Sequence, residues 1–600
     1  MSQRDIVTLP QIARGIVRGL PDLMTANRGL LGLALARPER QLSIGKRIEH
    51  WARKRPHATA LQFENERYSW AEFNAWANRI ADVLRAQGVR SGDTVGVLMD
   101  NRPATLAVVA GTLKLGAIAG MLNHKQTGDV LLHSIGLVTP KVMCVGDECM
   151  ASLSGLKAKI TRAHKPAWLW LPDGDAASAP RGYTNLDAAL PSASPENPPE
   201  TATVRLKQPC FFIFTSGTTG LPKASIMTHT RWIKAGSGMG LASLRLKPDD
   251  VFYCPLPLYH NNALTVSWGS AIAAGCTLAL GRKFSASGFW ADIRHHKATA
   301  FCYIGEVLRY LLNQPPSPND RNHAVRVICG NGLRPELWDN FKQRFGIETI
   351  NEFYGASESN IGFINAFNVD RTAGFCPMSF AVVEFDRDAD APIRNPKGFL
   401  TKVSKGGTGL LISEITDTAP FDGYTDKEAG EKKLLRHVFK KGDCWFNTGD
   451  LVRDQGYKHI AFVDRTGDTF RWKGENVATT EVEGAFADMP GVDHAVVYGV
   501  EIPGADGRAG MAAISLAPAA TFDPGIARAL KERLPAYAVP VLIRIRPEQE
   551  TTGTFKYRKV ELKDTAWKVE GEPVYVLQGD QYVALDDDKR RKLEAGDLRL

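Results

Sequence analysis

The 600-residue sequence has nine cysteines but no C-x-x-C pair; the nearest two, Cys144 and Cys149, are five positions apart. That spacing argues against a zinc site or a disulfide framework and for reduced thiols in a cytoplasmic protein. Long apolar runs are also missing. The best candidate, residues 105–122, carries Lys114 and several glycines, so it reads as a buried helix and not a membrane span. Arg4 and Asp5 precede no continuous apolar core, so no signal peptide is expected. There is no long Lys/Arg run and no basic stripe interleaved with aromatics, which leaves nucleic acid without a footprint despite a formal charge of +9. Internal repeats and low-complexity tracts are absent. What is there is 44% apolar and 23% charged, the composition of a globular chain too long for one core, so two or more domains are expected. The mild basic excess suits an anionic ligand or an anionic membrane face.

Residues 8–36 intersperse Ile12, Ile16, Leu20, Leu30, Leu31, Leu33 and Leu35 with Arg14, Arg18, Arg28 and Arg37, a basic amphipathic segment interrupted at Pro21. It fits a membrane surface or a helix packed on its own domain. From residue 44 the pattern becomes regular. Ser69-Trp70-Ala71-Glu72 predicts a capped helix to about Gln87, 94–99 a strand, 103–116 a helix and 142–145 a strand. This alternation predicts an α/β fold, α+β in parts, with layered sheets and helices in a large N-terminal domain. Residues 192–200, SASPENPPE, read as a surface connection, and the charged stretch 423–441 as a solvated surface. Beyond residue 466 a compact stretch of helices and strands predicts a smaller C-terminal α+β domain. The expected division is an N-terminal extension 1–43, a large domain 44–465 and a small domain 466–600.

Residues 211–230, FFIFTSGTTGLPKASIMTHT, run an apolar strand into a loop of glycines and hydroxyls followed by Lys223. Gly217 and Gly220 let the backbone approach a ligand, and the hydroxyls, amides and Lys223 suit a phosphate. The order G-T-T-G-L-P-K is not a Walker A loop, and Pro222 precludes the usual helix start. Taken alone, the run fits a surface loop as well as an anion cradle. Strand ends then recur with polar groups after them: His260 after PLPLY, Gly330-Asn331-Gly332, and Glu358 after Tyr354-Gly355-Ala356-Ser357. Ligands of such sheets bind beyond the carboxyl ends of the strands. Glu358 suits either a hydrated cation or a helix cap. Asp450, ending the aromatic-rich 445–450, suits a ribose or a turn, and Lys556 sits in a polar loop, TTGTFK.

In order, FTSGTTGLPK (214–223), PLPLYH (255–260), YGASE (354–358), NTGD (447–450), DRTGD (464–468) with KGEN (473–476), and TGTFK (552–556) resemble the motifs of the adenylate-forming superfamily. CYIGEVLRYLLNQP (302–315), KKLLRHVFKKGDCWFNTGDLV (432–452) and DRTGDTFRWKGENVATTEVE (464–483) are similar to its fatty acid transport protein / very-long-chain acyl-CoA synthetase branch. The resemblance implies a long-chain fatty acid–CoA ligase that consumes ATP with Mg²⁺, forms an acyl-adenylate, and passes the acyl group to coenzyme A; a role in fatty acid uptake by metabolic trapping is compatible with it. It implies that Thr215, Ser216, Gly217, Thr218, Thr219, Gly220 and Lys223 hold the β- and γ-phosphates, with Thr215 and Glu358 as Mg²⁺ partners. Gly330, Asn331, Gly332 and Tyr354 would flank adenine, and Asp450 and Arg465 the ribose. Lys556 would reach the carboxylate and α-phosphate, and His260 would gate the acyl pocket. The small domain would be mobile about Gly467, where many relatives carry Asp or Lys. A CoA ligase for a sterol or bile-type acid, an acyl-AMP ligase serving a carrier protein and a non-enzymatic fatty acid uptake protein share these motifs; the full set of polar residues speaks against the last. The implied location is cytoplasmic, or peripheral on the inner face of the membrane. Acyl chain length and oligomeric state stay open, a homodimer included.

Overall fold

The computed structural model describes residues 6–174, 178–216, 221–386, 389–473, 475–487, 489–503, 505, 507–547, 549 and 559–598. One sheet has seven strands in the order Thr184–Asn185, Ala167–Leu171, Val142–Gly146, Thr94–Leu98, Ile118–Met121, Pro209–Ser216 and Pro222–Thr228. All its neighbours are parallel except the last pair, an antiparallel hairpin. A fourteen-stranded sheet lays Thr349–Tyr354, Val327–Asn331, Ala300–Ile304, Val251–Cys254 and Thr277–Leu280 side by side and parallel. It continues into an antiparallel ribbon that includes Thr408–Glu414, Cys444–Gly456 and His459–Arg465. The parallel strands are buried on both faces, which is why they read as unbroken apolar runs and not as alternation. This is the α/β architecture, α+β in parts, that the alternation predicts.

At the N-terminus, α1 (Leu9–Gly19) and α2 (Leu23–Leu35) flank a single turn, Leu20–Asp22, that accommodates Pro21. Their inward residues are glycines. A β-carbon on Gly15 would lie 2.1 Å from the Phe367 carbonyl oxygen, and one on Gly29 2.5 Å from the Ala242 nitrogen. The apolar side chains face outward instead. Nine of the fourteen exposed large apolar side chains among the described residues fall between residues 9 and 35.

Helix α3 (Ile44–Lys54) leads to α4 (Trp70–Ala86), which opens with the expected reciprocal cap: Ser69 N donates to Glu72 Oε2 at 2.8 Å, and Glu72 N to Ser69 Oγ at 3.2 Å. Helix α5 (Pro103–Lys114) is buried along its whole length. The apolar stretch 105–122 is therefore two elements: the chain turns at Gly116, with φ +68°, and Ile118–Met121 is a strand. Lys114 is fully buried; its Nζ lies 2.9 Å from Glu49 Oε1 of α3 and 3.3 Å from Asn197 Oδ1. Asn197 Oδ1 also accepts from Asn74 and Asn78, so the Pro-rich stretch is stapled to the helices beneath it and is no loose connection.

From Phe470 onward a second hydrophobic core forms around Val496, Tyr498, Met511, Leu530 and Leu542. Its sheet has five strands in the order Val492–Glu501, Arg508–Leu516, Leu542–Ile545, Val574–Gln578 and Gln581–Ala584. Polar contacts among the described residues join the two bodies. Arg309 Nη1 donates to the Asp493 carbonyl at 3.1 Å, Asn313 Nδ2 to Asp493 Oδ1 at 3.1 Å, and Arg334 Nη2 lies 3.5 Å from Glu483 Oε2. No helix among the described residues is long and apolar enough to cross a membrane.

Glu49→Ala strands a buried ammonium, and a loss of about 3 kcal/mol is expected in denaturant unfolding. Lys114→Met, which removes that charge at similar volume, should unfold at or above the wild-type midpoint.

Candidate active site

The hairpin Pro209–Ser216/Pro222–Thr228 sets Thr215 directly across from Lys223. Pro222 opens the second strand, so a strand and not a helix follows the Gly-rich run in the chain. Gly217, Thr218, Thr219 and Gly220 lie outside the described residues; Ser216 closes the first strand. Lys223 Nζ lies 5.9 Å from the ring centroid of Tyr424, and the Tyr424 hydroxyl donates to Glu358 Oε1 at 2.8 Å. One phenol thus connects the base of the hairpin to the YGASE turn. Tyr424 belongs to the stretch 423–441 that reads as solvated surface, yet it is buried. The reason is backbone pairing: Ile226 N donates to the Gly423 carbonyl at 3.1 Å, and Thr425 N to the Ala224 carbonyl at 3.0 Å, so the segment lies along the edge strand.

Arg231, in helix His229–Gly236, locks the same corner. Its Nη1 donates to the Ile226 carbonyl at 2.9 Å, and its Nη2 to the carbonyls of Ser357 at 2.6 Å and Ser359 at 2.7 Å. Asp422 Oδ2 is 3.8 Å away. Burial pulls the guanidinium below its ordinary pKa, and the nearby Asp422 and Glu358 carboxylates oppose that pull.

Strand Val327–Asn331 delivers Gly330 and Asn331 to its carboxyl end, and Gly332 follows with φ +83°. The turn is held from below by Glu352. Its Oε2 accepts from Gly332 N at 3.0 Å, and its Oε1 from Leu333 N at 3.0 Å and from the Tyr303 hydroxyl at 2.6 Å. Burial pushes the Glu352 carboxyl up to about 8, against the pull of those three donors. Asn262 Nδ2 adds contacts to the Tyr303 carbonyl at 3.0 Å and to Asn331 Oδ1 at 3.3 Å. His260, two residues before Asn262, is half-buried at the start of that helical segment.

The strand that carries Glu352 also carries Tyr354, two positions on and so on the same face. The Tyr354 hydroxyl donates to Asp450 Oδ2 at 2.5 Å. Burial first, and the Asp450 charge second, push that phenol well up. Arg465 is the cross-strand partner of Asp450, with Nε 3.7 Å from Oδ1. Asp450 does not end its strand; Cys444–Gly456 runs through it, and the turn-like sequence is a kink at Gly449, with φ +75°.

Lys556 lies outside the described residues. Immediately after it, Lys559 Nζ donates to Thr479 Oγ1 at 2.8 Å and pairs with Glu483 Oε1 at 3.0 Å, while Lys563 Nζ donates to the Gly467 carbonyl and to Asp468 Oδ1, both at 2.9 Å. The structure thus links Lys223 and Glu358 through Tyr424, with Thr215 across the hairpin from Lys223, gathers the Gly330-Asn331-Gly332 turn around Glu352, and joins Tyr354, Asp450 and Arg465 in one chain of contacts. Arg231, Glu352, Tyr424 and Lys559 are absent from the sequence-derived set. The one signal for Glu352 was its place two residues before Tyr354.

The sequence matches the AMP-binding enzyme family over residues 48–386 and the AMP-binding enzyme C-terminal domain over residues 481–556. It is 48% identical over 575 residues to the medium/long-chain-fatty-acid–CoA ligase FadD6 of Mycobacterium tuberculosis, covering 96% of this chain and 94% of that one. It is 37% identical over 573 residues to long-chain fatty acid transport protein 6 of Mus musculus, covering 93% and 91%. The crystal structure of ATP-bound MatB from Rhodopseudomonas palustris is similar in fold, with a TM-score of 0.72 at 22% identity over 86% of this chain and 98% of that one.

Glu352→Gln keeps one accepting oxygen and replaces the other with an NH2 group that cannot accept from the turn or from the Tyr303 hydroxyl. The native state holds its extra proton between pH 4.5 and about 8. The wild type's stability relative to the variant should therefore fall as the pH rises through that window and level off above it, read from denaturant midpoints across pH.

Proposed function

The chain belongs to the AMP-binding enzyme family, and from that premise we propose that it is an ATP-dependent, AMP-forming ligase joining a long-chain fatty acid to coenzyme A. The observation that carries this reading is the convergence of Lys223, Tyr424 and Glu358 at the mouth of the hairpin, beside a Tyr354–Asp450–Arg465 chain suited to a ribose. The substrate class rests on the names of the relatives.

In the first step a carboxylate oxygen bonds to the α-phosphorus of ATP, and pyrophosphate leaves with the electrons of the broken P–O bond. In the second, the thiol sulfur of coenzyme A bonds to the acyl carbon, its proton is released, and AMP leaves. Both reactants of the first step are anions, so the protein's task is positioning and charge neutralisation. We assign Thr215, Ser216, Gly217, Thr218, Thr219, Gly220 and Lys223 to the departing phosphates. Gly330, Asn331, Gly332 and Tyr354 go to adenine, Asp450 and Arg465 to the ribose, and His260 to the gate of the acyl pocket. Lys556 neutralises charge at the α-phosphate. Glu358 is half-buried and makes no ion pair among the described residues, and Thr215 offers a hydroxyl, a donor set of hard oxygens that fits Mg²⁺. When bound, Mg²⁺ would supply neutralisation of the phosphate oxygens. We also propose that residues 44–465 and 466–600 are the two working domains and that Gly467 is the pivot. Glycine has no side chain to fix a state there, and Lys563 instead holds its carbonyl and the neighbouring Asp468.

Lys556→Ala should lower pyrophosphate release from ATP and palmitate by about a hundredfold or more. Thioester formation from supplied palmitoyl-adenylate should survive within a few-fold, and equal loss in both would sink the two-step assignment of Lys556. Running wild type with a bile acid, or with a carrier protein in place of coenzyme A, separates the neighbouring ligase activities.

We propose further that α1–α2 seats the enzyme peripherally on an anionic membrane, because their outward face combines exposed Ile16, Leu20 and Met24 with exposed Arg14, Arg18 and Arg28. The triple substitution Ile16→Glu, Leu20→Glu, Met24→Glu leaves the inner glycine seat intact. It should reduce cosedimentation with phosphatidylglycerol vesicles several-fold while activity on detergent-dispersed palmitate stays unchanged.

A further inference from the structure

The segment that leaves the Gly330-Asn331-Gly332 turn touches the smaller body. Arg334 is two residues past Gly332, and its Nη2 lies 3.5 Å from Glu483 Oε2, across the boundary between the two cores. Glu483 Oε1 serves its own body: it pairs with Lys559 Nζ at 3.0 Å and accepts from Val497 N at 3.0 Å. We propose, resting on the ligase reading above, that Arg334 is a positioning residue for the first half-reaction. Through Glu483 and Lys559 it seats the small domain, and with it Lys556, over the nucleotide turn.

Connectivity is the first argument. Gly332 and Leu333 give their N–H groups to Glu352, so Arg334 leaves a turn whose backbone is fixed. On the other side, Lys559 is largely buried and follows Lys556 by three residues, a reach of at most about 10 Å. The ion pairs Arg334–Glu483–Lys559 therefore connect the turn assigned to adenine with the segment that carries the lysine assigned to the α-phosphate. The contact is also built to part. Arg334 has Glu306, whose Oε1 is 3.7 Å from its Nη2 and whose Oε2 holds Arg309 Nε at 2.7 Å, while Glu483 has Lys559. When the bodies separate, each charge retains a partner of its own body, so no lone charge is stranded. Such a contact favours one pose without locking it.

Space is the second argument, and it does not involve charge. Gly484, in the helix Thr479–Phe486, faces Glu336 of the same large-domain segment: a β-carbon there would lie 3.1 Å from Glu336 Oε1. Glycine weakens a helix interior, and here its bareness lets the helix come close to residues 334–336. Arg334–Glu483 and Glu336–Gly484 are thus neighbouring contacts of one seam, one electrostatic and one steric.

The test separates the half-reactions in the full-length protein. Arg334→Met removes the charge, and Gly484→Leu wedges the seam from the small-domain side. Each should lower kcat for pyrophosphate release from ATP and palmitate by about tenfold or more, with the KM for ATP within about threefold of wild type. Thioester formation from supplied palmitoyl-adenylate should stay within about twofold, which also shows that both variants fold. Arg334→Lys, which restores a cation, should recover about a third or more of the wild-type kcat. Equal loss in the two half-reactions, or pyrophosphate release unchanged in either variant, overturns the proposal. A raised KM for ATP with unchanged kcat in Arg334→Met would make Arg334 a support of the adenine turn alone and overturn it too. Arg334→Lys no better than Arg334→Met would do the same. Failure of the ligase reading itself shows differently, as no pyrophosphate release by the wild type.

Discussion

One largely buried guanidinium fixes the corner on which the candidate active site depends. Arg231 reaches from helix His229–Gly236 to the carbonyl of Ile226 in the edge strand and to those of Ser357 and Ser359 in the turn that carries Glu358. An uncompensated buried charge costs several kcal/mol, so this arrangement persists because three carbonyl oxygens and a nearby Asp422 carboxylate share the compensation. The effect is geometric. Glu358 cannot shift without moving carbonyls that Arg231 holds, and the hairpin bearing Thr215 and Lys223 is anchored to the same side chain. Tyr424 then completes the corner from a third segment, with its hydroxyl on Glu358 and its ring near Lys223.

A second organiser is the strand Thr349–Tyr354. It supplies Glu352 to the turn at Gly332 and, two residues later on the same face, Tyr354 to Asp450. The polar residues after strand ends were legible in the sequence because their signal is local: a run of apolar residues, then glycines and a lone acid or base. Arg231, Glu352 and Tyr424 carried no such signal. Their partners are backbone carbonyls and amides of segments far away in the chain, and a single sequence does not reveal which distant edge a segment will pair with. The stretch 423–441 shows this well: its charges are those of a solvated surface, and only its pairing with the strand Pro222–Thr228 explains why Tyr424 is buried. The fold class was easier to read, since strands buried on both faces and helices such as α4, with its Ser69–Glu72 cap, leave continuous or periodic patterns. The helix over 103–116 was legible, but the strand Ile118–Met121 beyond it was not, because both halves of 105–122 are equally apolar and only the positive φ at Gly116 divides them.

Among the described residues, charged and polar groups bridge the two hydrophobic cores. Arg309 and Asn313 contact Asp493, Arg334 approaches Glu483, and Glu483 also holds Lys559. Arg309, Arg334 and Glu483 are largely buried, so removing one partner leaves a charge that water compensates poorly. They orient the smaller body through specific polar partners, in contrast to the interleaved apolar layers within each core. Lys563, on the Gly467 carbonyl and on Asp468, ties the connecting segment to the helix that follows Lys556.

The helices α1 and α2 rest on the body of the protein through positions that tolerate no side chain, since a β-carbon at Gly15 or Gly29 would collide with backbone atoms of Phe367 or Ala242. Their outward leucines, isoleucine and methionine contribute little to that seat. Anchorage and outer-surface character are therefore encoded at different positions of the same short stretch, and can drift independently. A lineage could make this face stickier, greasier or more highly charged one residue at a time without loosening its hold on the enzyme, while the glycines beneath would remain almost unable to change.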